Sequence, residues 1–264
     1  MNEILCWNIP KRVLFIVVFA FFITLARADL INSVKKIKPS VILVGTFSQI
    51  DSPRFYFRGT GFVVALGNHA ITNAHVLALS PGDEYIKKIF VQVWAPPKSW
   101  NMRFAEVISV DSVHDLALLS FDGSAVPSVR LSNEKPKEGS SVAFMGFPIG
   151  GALGFSHVTH RATISSIASM ALPAGTAQQL NERAVSQLRL GSFDIFQLDG
   201  TAYPGNSGGP IFDPDSGTVI GVINSVLVKG SRESALSDPS GISYGIPVEY
   251  VTRLLKEKSE MIRK

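Results

Sequence analysis

One serine stands in a glycine-rich stretch whose composition suits a nucleophile. The stretch Tyr203-Pro204-Gly205-Asn206-Ser207-Gly208-Gly209-Pro210 separates two apolar, strand-like runs. Because glycine adopts backbone angles that a Cβ forbids, the Ser207 hydroxyl can stand clear while the amides of Gly205 and Ser207 converge on one point. Two such amides make an oxyanion hole. An ordinary tight turn has the same composition, and the stretch taken alone favours that interpretation.

A histidine and an aspartate upstream favour catalysis instead. His75 lies in Thr72-Asn73-Ala74-His75-Val76, at the end of a strand-like segment, where it is exposed and suits a general base. Asp115 stands directly before the apolar run Leu116 to Leu119, a place where a carboxylate needs a partner. If Asp115 binds His75, it fixes the tautomer of the ring. Asp111 is the alternative acid, although its position is typical of a turn that closes the preceding strand.

The remaining histidines are interpreted as structural or surface residues. They are His69, His114, His157 and His160. His157 and His160 are three apart in a segment that looks extended, so their rings do not point at one metal ion.

The N-terminus has the pattern of a secretory signal. Lys11 and Arg12 precede an apolar run from Val13 to Leu25, and Ala26-Arg27-Ala28 follows as a small-x-small cleavage site. We expect cleavage after Ala28 and an exported protein, periplasmic or secreted. A retained membrane anchor is the alternative, but the run is shorter than the roughly 20 residues that a spanning helix needs.

Composition excludes some classes of partner. The single cysteine, Cys6, lies inside the predicted signal, so no disulfide is expected in the mature chain. Loss of the signal lowers the formal net charge from +4 to about +2. The basic stretch Lys35-Lys36-Ile37-Lys38 indicates a solvated helix face, so a nucleic-acid partner is disfavoured.

From Ser40 onward, short β-branched and aromatic runs alternate with turn residues, which predicts an all-β fold of two six-stranded antiparallel barrels. We expect the first barrel over about 40–122, the second over about 138–247 and a C-terminal amphipathic helix over 248–262. The predicted strands are Val41–Phe47, Thr60–Leu66, Ala70–Thr72, Ile89–Trp94, Arg103–Asp111, Leu116–Phe121, Ser141–Gly146, Ala162–Ile167, Phe193–Leu198, Pro210–Phe212, Val219–Val228 and Ser243–Ile246.

These motifs together resemble the chymotrypsin-fold serine proteases, and within them the protease domain of the HtrA/Deg family. The chain order is His, Asp, Ser, and the similarity covers about Pro39 to Leu255. The supporting strings are Gly59-Thr60-Gly61-Phe62-Val63-Val64, Ala143-Phe144-Met145-Gly146-Phe147-Pro148, Val219-Ile220-Gly221-Val222-Ile223-Asn224-Ser225 and Gly245-Ile246-Pro247-Val248.

The resemblance implies roles for the residues at the matching positions. Ser207 would be the nucleophile, His75 the base and Asp115 the orienting acid, with the amides of Gly205 and Ser207 as oxyanion donors. The reaction would hydrolyse peptide bonds in unfolded or extended protein segments through an acyl-enzyme, without metal or organic cofactor. Such proteases commonly assemble as trimers, and Phe55, Tyr56 and Phe57 would either form an interface or cover the barrel. The residues expected to contact substrate are Thr201, Ala202, Tyr203, Asn224, Ser225, Val226 and Leu227.

The sequence departs from that family in three places. Family members usually continue into PDZ domains, whereas this sequence stops at Lys264, so we expect no peptide-gated regulation in cis. Ala168 to Leu190 is long for a connection and is either a mobile activation loop or a surface insertion. Thr201, Ala202 and Tyr203 differ from the residues that the family usually carries there, which alters the expected pocket.

Two other functions share these features. A protein-binding or chaperone-like module on a protease scaffold would leave the catalytic geometry unused. A glutamate-specific secreted protease or toxin has similar triad motifs, but Asn224 to Leu227 contains no histidine to receive an acidic side chain.

Overall fold

The computed structural model describes residues 30–78, 88–95, 99–150, 154–170, 193–224 and 241–262. The predicted signal therefore lies outside the described residues. The helices are α1 (Leu30–Ile37), α2 (Ala74–Leu77), α3 (Val248–Glu257) and α4 (Ser259–Ile262), and a 3-10 turn covers Lys38–Ser40. None of these helices has both the length and the apolar character needed to cross a bilayer.

Twelve described strands form two closed antiparallel barrels of six strands each, as the sequence predicts. The first barrel has the order β1-β2-β3-β6-β5-β4 and the second has the order β10-β11-β12-β9-β8-β7. The strands are β1 (Val41–Phe47), β2 (Phe55–Val64), β3 (His69–Asn73), β4 (Lys88–Ala95), β5 (Ser99–Asp111), β6 (Leu116–Phe121), β7 (Ser141–Gly146), β8 (Val158–Met170), β9 (Phe193–Leu198), β10 (Pro210–Phe212), β11 (Val219–Asn224) and β12 (Ser243–Pro247).

The strands at the junction of the barrels are apolar on both faces because each face is buried against a different core. In β1, Ile42 and Val44 point into the first barrel, while Val41 and Leu43 pack into a core shared by both barrels. In β7, Phe144 belongs to the interior of the second barrel. Since side chains alternate between the two faces of a strand, continuous apolar runs of this kind are expected only where both faces exclude water. The shared core therefore docks the two barrels.

Several predicted strand bounds were wrong, among them the start of β2, which begins at Phe55 and not at Thr60. Strand β2 ends at Val64, not Leu66, because Ala65 has a positive φ of 54° and begins a turn in which Leu66 is exposed. Strand β5 begins at Ser99 rather than Arg103, where pairing with β4 extends the ladder. Strand β8 runs to Met170, so the segment expected to leave the sheet at Ala168 is still paired with β9 there. Residues 225–228 at the predicted end of β11 lie outside the described part.

The C-terminal helix forms as predicted, but as two helices that meet at Lys258. Val251, Leu254 and Ile262 are buried in the shared core, as their helical spacing indicates. Near β2, Phe57 packs on Phe147 and Phe155, while Tyr56 stays 53% exposed. Phe57 therefore covers the barrel junction from within this chain.

An aromatic cluster joins β4 and β5 of the first barrel to the start of β8 in the second. His157 stacks on Trp100 with ring centroids 5.2 Å apart, and its ring also contacts Trp94 and Phe147. Its Nε2 donates to the carbonyl of Val41 at 3.0 Å. Burial, together with the nearby charge of Lys38, lowers the pKa of His157 to about 4. The hydrogen bond to Val41 acts in the opposite direction but is weaker than the effect of burial. The folded protein therefore holds this ring neutral.

The buried neutral ring predicts a loss of stability in mild acid. Because the folded pKa lies below the unfolded value of 6.5, the unfolded chain binds the proton more readily, and stability falls as the pH drops from 6.5 toward 4. We expect this group to contribute a loss of roughly 3 kcal/mol in the free energy of unfolding across that window. Urea unfolding of the parent and of His157→Phe at several pH values measures it, and the variant should show the smaller loss. Trp94→Phe disturbs the same cluster but removes no titrating group, so it should keep the acid sensitivity. An equal loss in His157→Phe and the parent would contradict the assignment.

Candidate active site

His75 lies on the short helix α2, directly after β3, at the edge of the first barrel. Arg58 on β2 holds the end of this helix by donating from Nε to the carbonyl of Val76 at 2.7 Å and from Nη2 to the carbonyl of Ala78. The His75 side chain is 29% exposed, as a proton-transfer group at a surface must be. The structure thus places His75 just after a strand, where the sequence predicts it.

Asp115 binds His75 twice. Its Oδ2 accepts from Nδ1 of the His75 ring at 2.6 Å, and its Oδ1 accepts from the His75 backbone amide at 2.9 Å. The ring thus carries its proton on Nδ1, which makes Nε2 the nitrogen that can accept another proton. Asp115 has a positive φ of 51°, an unfavourable backbone for a residue with a Cβ. Its carbonyl is held by the Ala74 amide at 3.1 Å and by Nδ2 of Asn73 at 3.0 Å, which offset that cost.

Asn224 supplies a third donor to the same carboxylate. Its Nδ2 lies 2.7 Å from Oδ2 of Asp115, and the side chain is fully buried at the end of β11. The sequence assigned Asn224 only to substrate contact, so this bond across the barrels was missed. The sequence feature that indicates this bond is a polar amide at the end of an otherwise apolar strand, because a buried amide needs a hydrogen-bond partner.

Asp111, the alternative acid, pairs with a different histidine. Its Oδ2 accepts from Nδ1 of His114 at 2.6 Å, and its Oδ1 accepts from the amides of Val113 and His114 at 3.1 Å each. Burial raises the pKa of Asp111, but these hydrogen bonds outweigh it and hold the pKa below its usual value. The His114 ring stacks on Tyr250 of α3 at 4.0 Å. Asp111 and His114 therefore brace the turn that presents Asp115.

The stretch around Ser207 forms a compact turn in which each carbonyl from Pro204 to Ser207 accepts a hydrogen bond. The carbonyls of Pro204 and Asn206 accept from the amides of Ile149 at 2.8 Å and Gly209 at 2.9 Å. In a trans peptide the N–H points opposite to the preceding C=O. The Gly205 amide therefore points away from Ile149, and the Ser207 amide points away from Gly209. Both directions are set by the fold rather than by a ligand.

The turn approaches the first barrel so closely that only glycine fits at the contacts. Gly59 on β2 lies between Val76, the neighbour of His75, and the Ser207 carbonyl: a Cβ there would come within 2.7 Å of Val76 and 3.0 Å of that oxygen. Gly208, at a φ of +87°, would place a Cβ 2.1 Å from the carbonyl of Thr60. Val76, the residue after His75, and Ser207 thus lie on the two sides of one glycine. Ser207 itself is 3% exposed.

The predicted substrate-contacting residues divide into two groups. Ala202 is nearly buried in the core of the second barrel, with Thr201 and Tyr203 partly exposed beside it. The Ala202 amide donates at 2.6 Å to Oγ of Ser243, which in turn donates to the carbonyl of Gly200, so β12 holds this wall in place. Ser225, Val226 and Leu227 lie outside the described residues, as does 171–192, most of the expected activation segment.

Other predicted features lie apart from this constellation. His160 stacks on Phe144 at 4.7 Å, and His69 pairs with the Asn68 side chain at 3.0 Å. Among the described residues no three His, Cys, Asp or Glu side chains are arranged to hold a metal ion. The chemistry that this arrangement supports is proton transfer between a serine hydroxyl and a histidine that is oriented by a carboxylate.

Comparison with known proteins places the chain in a family. A model of the trypsin-like peptidase domain matches residues 59–222. The chain is 27% identical over 209 residues to a probable periplasmic serine endoprotease DegP-like of Pseudomonas putida, covering 78% of this chain and 36% of that protein. It is 30% identical over 209 residues to the mitochondrial serine protease HTRA2 of Drosophila willistoni, covering 78% of this chain and 39% of that protein. The chain thus spans a little over a third of the length of these relatives.

Solved structures share the two-barrel, chymotrypsin-like fold. The HtrA-type protease AlgW with a tripeptide superposes with a TM-score of 0.62 at 20% identity, covering 87% of this chain and 63% of that one. The Rv3671c protease from M. tuberculosis in its active form superposes with a TM-score of 0.60 at 24% identity, covering 85% and 82%. Since the family model spans more than half of the sequence, the chain belongs to the trypsin-like peptidase domain family, and it is similar to serine proteases of the HtrA/DegP type.

Proposed function

We propose that this chain is an exported serine endopeptidase that hydrolyses peptide bonds in unfolded or extended protein segments. The observation that carries the proposal is the His75–Asp115 pair, with a ring-to-carboxylate distance of 2.6 Å, held beside the glycine-rich turn that bears Ser207. The names of the relatives, a serine endoprotease and a serine protease, support the same reaction. The apolar run from Val13 to Leu25 and the periplasmic naming of DegP-like relatives support export.

The chemistry follows from the orientation of these groups. Nε2 of His75 takes the proton of the Ser207 hydroxyl as Oγ attacks the substrate carbonyl, and Asp115 stabilises the imidazolium that forms. The negative oxygen of the tetrahedral intermediate is bound by the amides of Gly205 and Ser207. His75 then gives its proton to the departing amine as the C–N bond breaks, which leaves an acyl-enzyme on Ser207. Water, deprotonated by His75, attacks the ester, and His75 returns this proton to Oγ of Ser207 as the ester C–O bond breaks and the acid is released.

Replacing the nucleophile tests the assignment directly. Ser207→Ala should reduce degradation of an unfolded protein at least about 10³-fold, because no other group can form the acyl-enzyme. The melting temperature should change little, since the substitution removes one oxygen from a turn. Ser124→Ala makes the same change at an exposed serine and should leave degradation unchanged. Turnover by Ser207→Ala within tenfold of the parent would refute the assignment. If a fluorophosphonate never labels the parent at Ser207, the result favours the alternative function, a protein-binding module on a protease scaffold.

The amide of Asn224 offers a second test. Asn224→Asp is nearly isosteric but replaces the donor to Asp115 with a like charge in a buried position. A hydrogen bond to a charged group contributes about 1.5–3 kcal/mol, so labelling of Ser207 by a fluorophosphonate should slow at least about tenfold at neutral pH. Asn133→Asp is the matched control at an exposed position. Labelling of both variants at the parent rate would show that Asn224 does not support the acid.

The substrate pocket predicts the cleavage sites. The described wall residues Thr201, Ala202 and Tyr203 carry no charge, so the side chain preceding the cut should be small or medium and apolar, such as Ala, Val or Leu. Digestion of an unfolded protein followed by mass spectrometry of the peptides maps the sites. Predominant cleavage after Lys or Arg would contradict this pocket, and predominant cleavage after Glu would favour the glutamate-specific alternative.

A further inference from the structure

Thr60, in the motif Gly59-Thr60-Gly61, contacts the serine turn but is not one of the three residues His75, Asp115 and Ser207. Thr60 lies on β2 of the first barrel and is fully buried at the junction with the second. Its backbone amide donates to the Ser207 carbonyl at 2.9 Å. Its side chain therefore packs directly against the turn that bears Ser207.

The Thr60 hydroxyl bonds to two groups of the second half of the chain. Oγ1 donates to the carbonyl of Gly205 at 2.6 Å and accepts from the amide of Phe147 at 3.2 Å. A threonine hydroxyl has one proton to donate, and here that proton goes to Gly205. A methyl group at the same place would fill the space but hold neither partner.

Gly205 has no side chain, so little within the residue itself restricts its backbone angles. Its φ is +103°, and a Cβ would come within 2.3 Å of the carbonyl of Phe147, so no other residue fits there. Glycine accepts many backbone angles, which means that neighbouring groups must select one. The peptide before Gly205 is held by the Ile149 amide on the Pro204 carbonyl at 2.8 Å. The peptide after it is held by Thr60 on the Gly205 carbonyl and by the Asn206 amide on the carbonyl of Tyr203 at 3.0 Å.

These three hydrogen bonds decide how the amides of Gly205 and Ser207 lie relative to each other. The Ile149 contact sets the direction of the Gly205 amide. The Thr60 contact, with the bond from the Asn206 amide, sets the next peptide plane and therefore the path of the chain to Ser207. Preorganised donors bind a developing oxyanion well because no reorganisation is needed during the reaction.

We propose that Thr60 is a positioning residue, whose hydroxyl fixes the Gly205 carbonyl and so aligns the two amides that bind the oxyanion. The inference rests on the proposed peptidase function. It also makes the alignment depend on docking of the barrels, because the hydroxyl comes from the first barrel and the turn from the second.

The test compares the rates at which a fluorophosphonate labels Ser207 and the kcat and KM for a peptide substrate. Thr60→Val keeps the shape and removes the hydroxyl. We expect labelling and kcat to fall roughly 10–100-fold, a fraction of the effect of deleting an oxyanion donor, with KM changed less than about threefold. Thr60→Ser restores the donor and should recover both rates to within about threefold of the parent.

A matched control separates alignment from loss of stability. Ser33 on α1 is also buried, and its hydroxyl donates to the carbonyl of Asp215 at 3.4 Å, beyond the end of β10 that is farther from Ser207. Ser33→Ala should lower the melting temperature as Thr60→Val does, because both remove the hydroxyl of a buried side chain and the hydrogen bond that it donates. We expect its labelling rate to stay within about threefold of the parent, measured well below the melting temperature.

The possible outcomes are distinct. A folded Thr60→Val labelled at the parent rate overturns the positioning role and leaves the proposed function intact. A parent protein that is never labelled at Ser207 refutes the proposed function and this inference with it. If Thr60→Val does not fold, Thr60→Cys replaces it: this variant differs from Thr60→Ser by one atom and has a weak S–H donor. Equal labelling of the cysteine and serine variants would then overturn the role.

Discussion

The Asp115 carboxylate is the constraint on which the candidate site depends. Its two oxygens accept from three donors, the backbone amide and ring of His75 in the first barrel and the amide of Asn224 in the second. A carboxylate with 15% of its side chain exposed is costly to bury unless its lone pairs are occupied, and these three bonds occupy them. The same bonds orient the histidine. Displacement of either barrel would break at least one of them, so the site exists only while the barrels are docked.

Docking in turn depends on a core and a backbone contact that act together. Apolar side chains of both barrels and of α3 form one shared core, which supplies the non-directional attraction. Glycines then allow the serine turn to approach the backbone of β2 and of the end of β7: a Cβ at Gly146 would come within 2.7 Å of the Asn206 side chain. The core brings the surfaces together, and the glycines allow hydrogen bonds to set their register.

Local patterns were sufficient to predict the strands that carry the site. Both β6, which follows Asp115, and β10, which follows the serine turn, have the predicted bounds, because each is a short apolar run flanked by turn residues. The starts of β5 and β8 were predicted several residues too late, because their first residues mix polar and apolar side chains and are held in the sheet by pairing with neighbouring strands.

The contact between His75 and Asp115 was expected from residue type and position, and the two side chains lie 2.6 Å apart. The bonds of Asn224 and Thr60 were not predictable in this way. Each joins residues that lie far apart in the sequence, and a buried amide or hydroxyl signals only that a partner exists. The partner is chosen by the three-dimensional docking of two barrels, which no local pattern contains.

The sequence separation of these bonds has a consequence for biosynthesis. Asp115 and Asn224 are 109 residues apart, Thr60 and Gly205 are 145 apart, and Val41 and His157 are 116 apart. Contacts between residues so far apart in the sequence form late in folding, because the entropy cost of closing a long loop must be overcome before the contact adds stability. A chain emerging from the ribosome holds its histidine and aspartate well before its serine. The arrangement of His75, Asp115 and Ser207 can therefore assemble only after nearly all of the residues that form the two barrels have been synthesised.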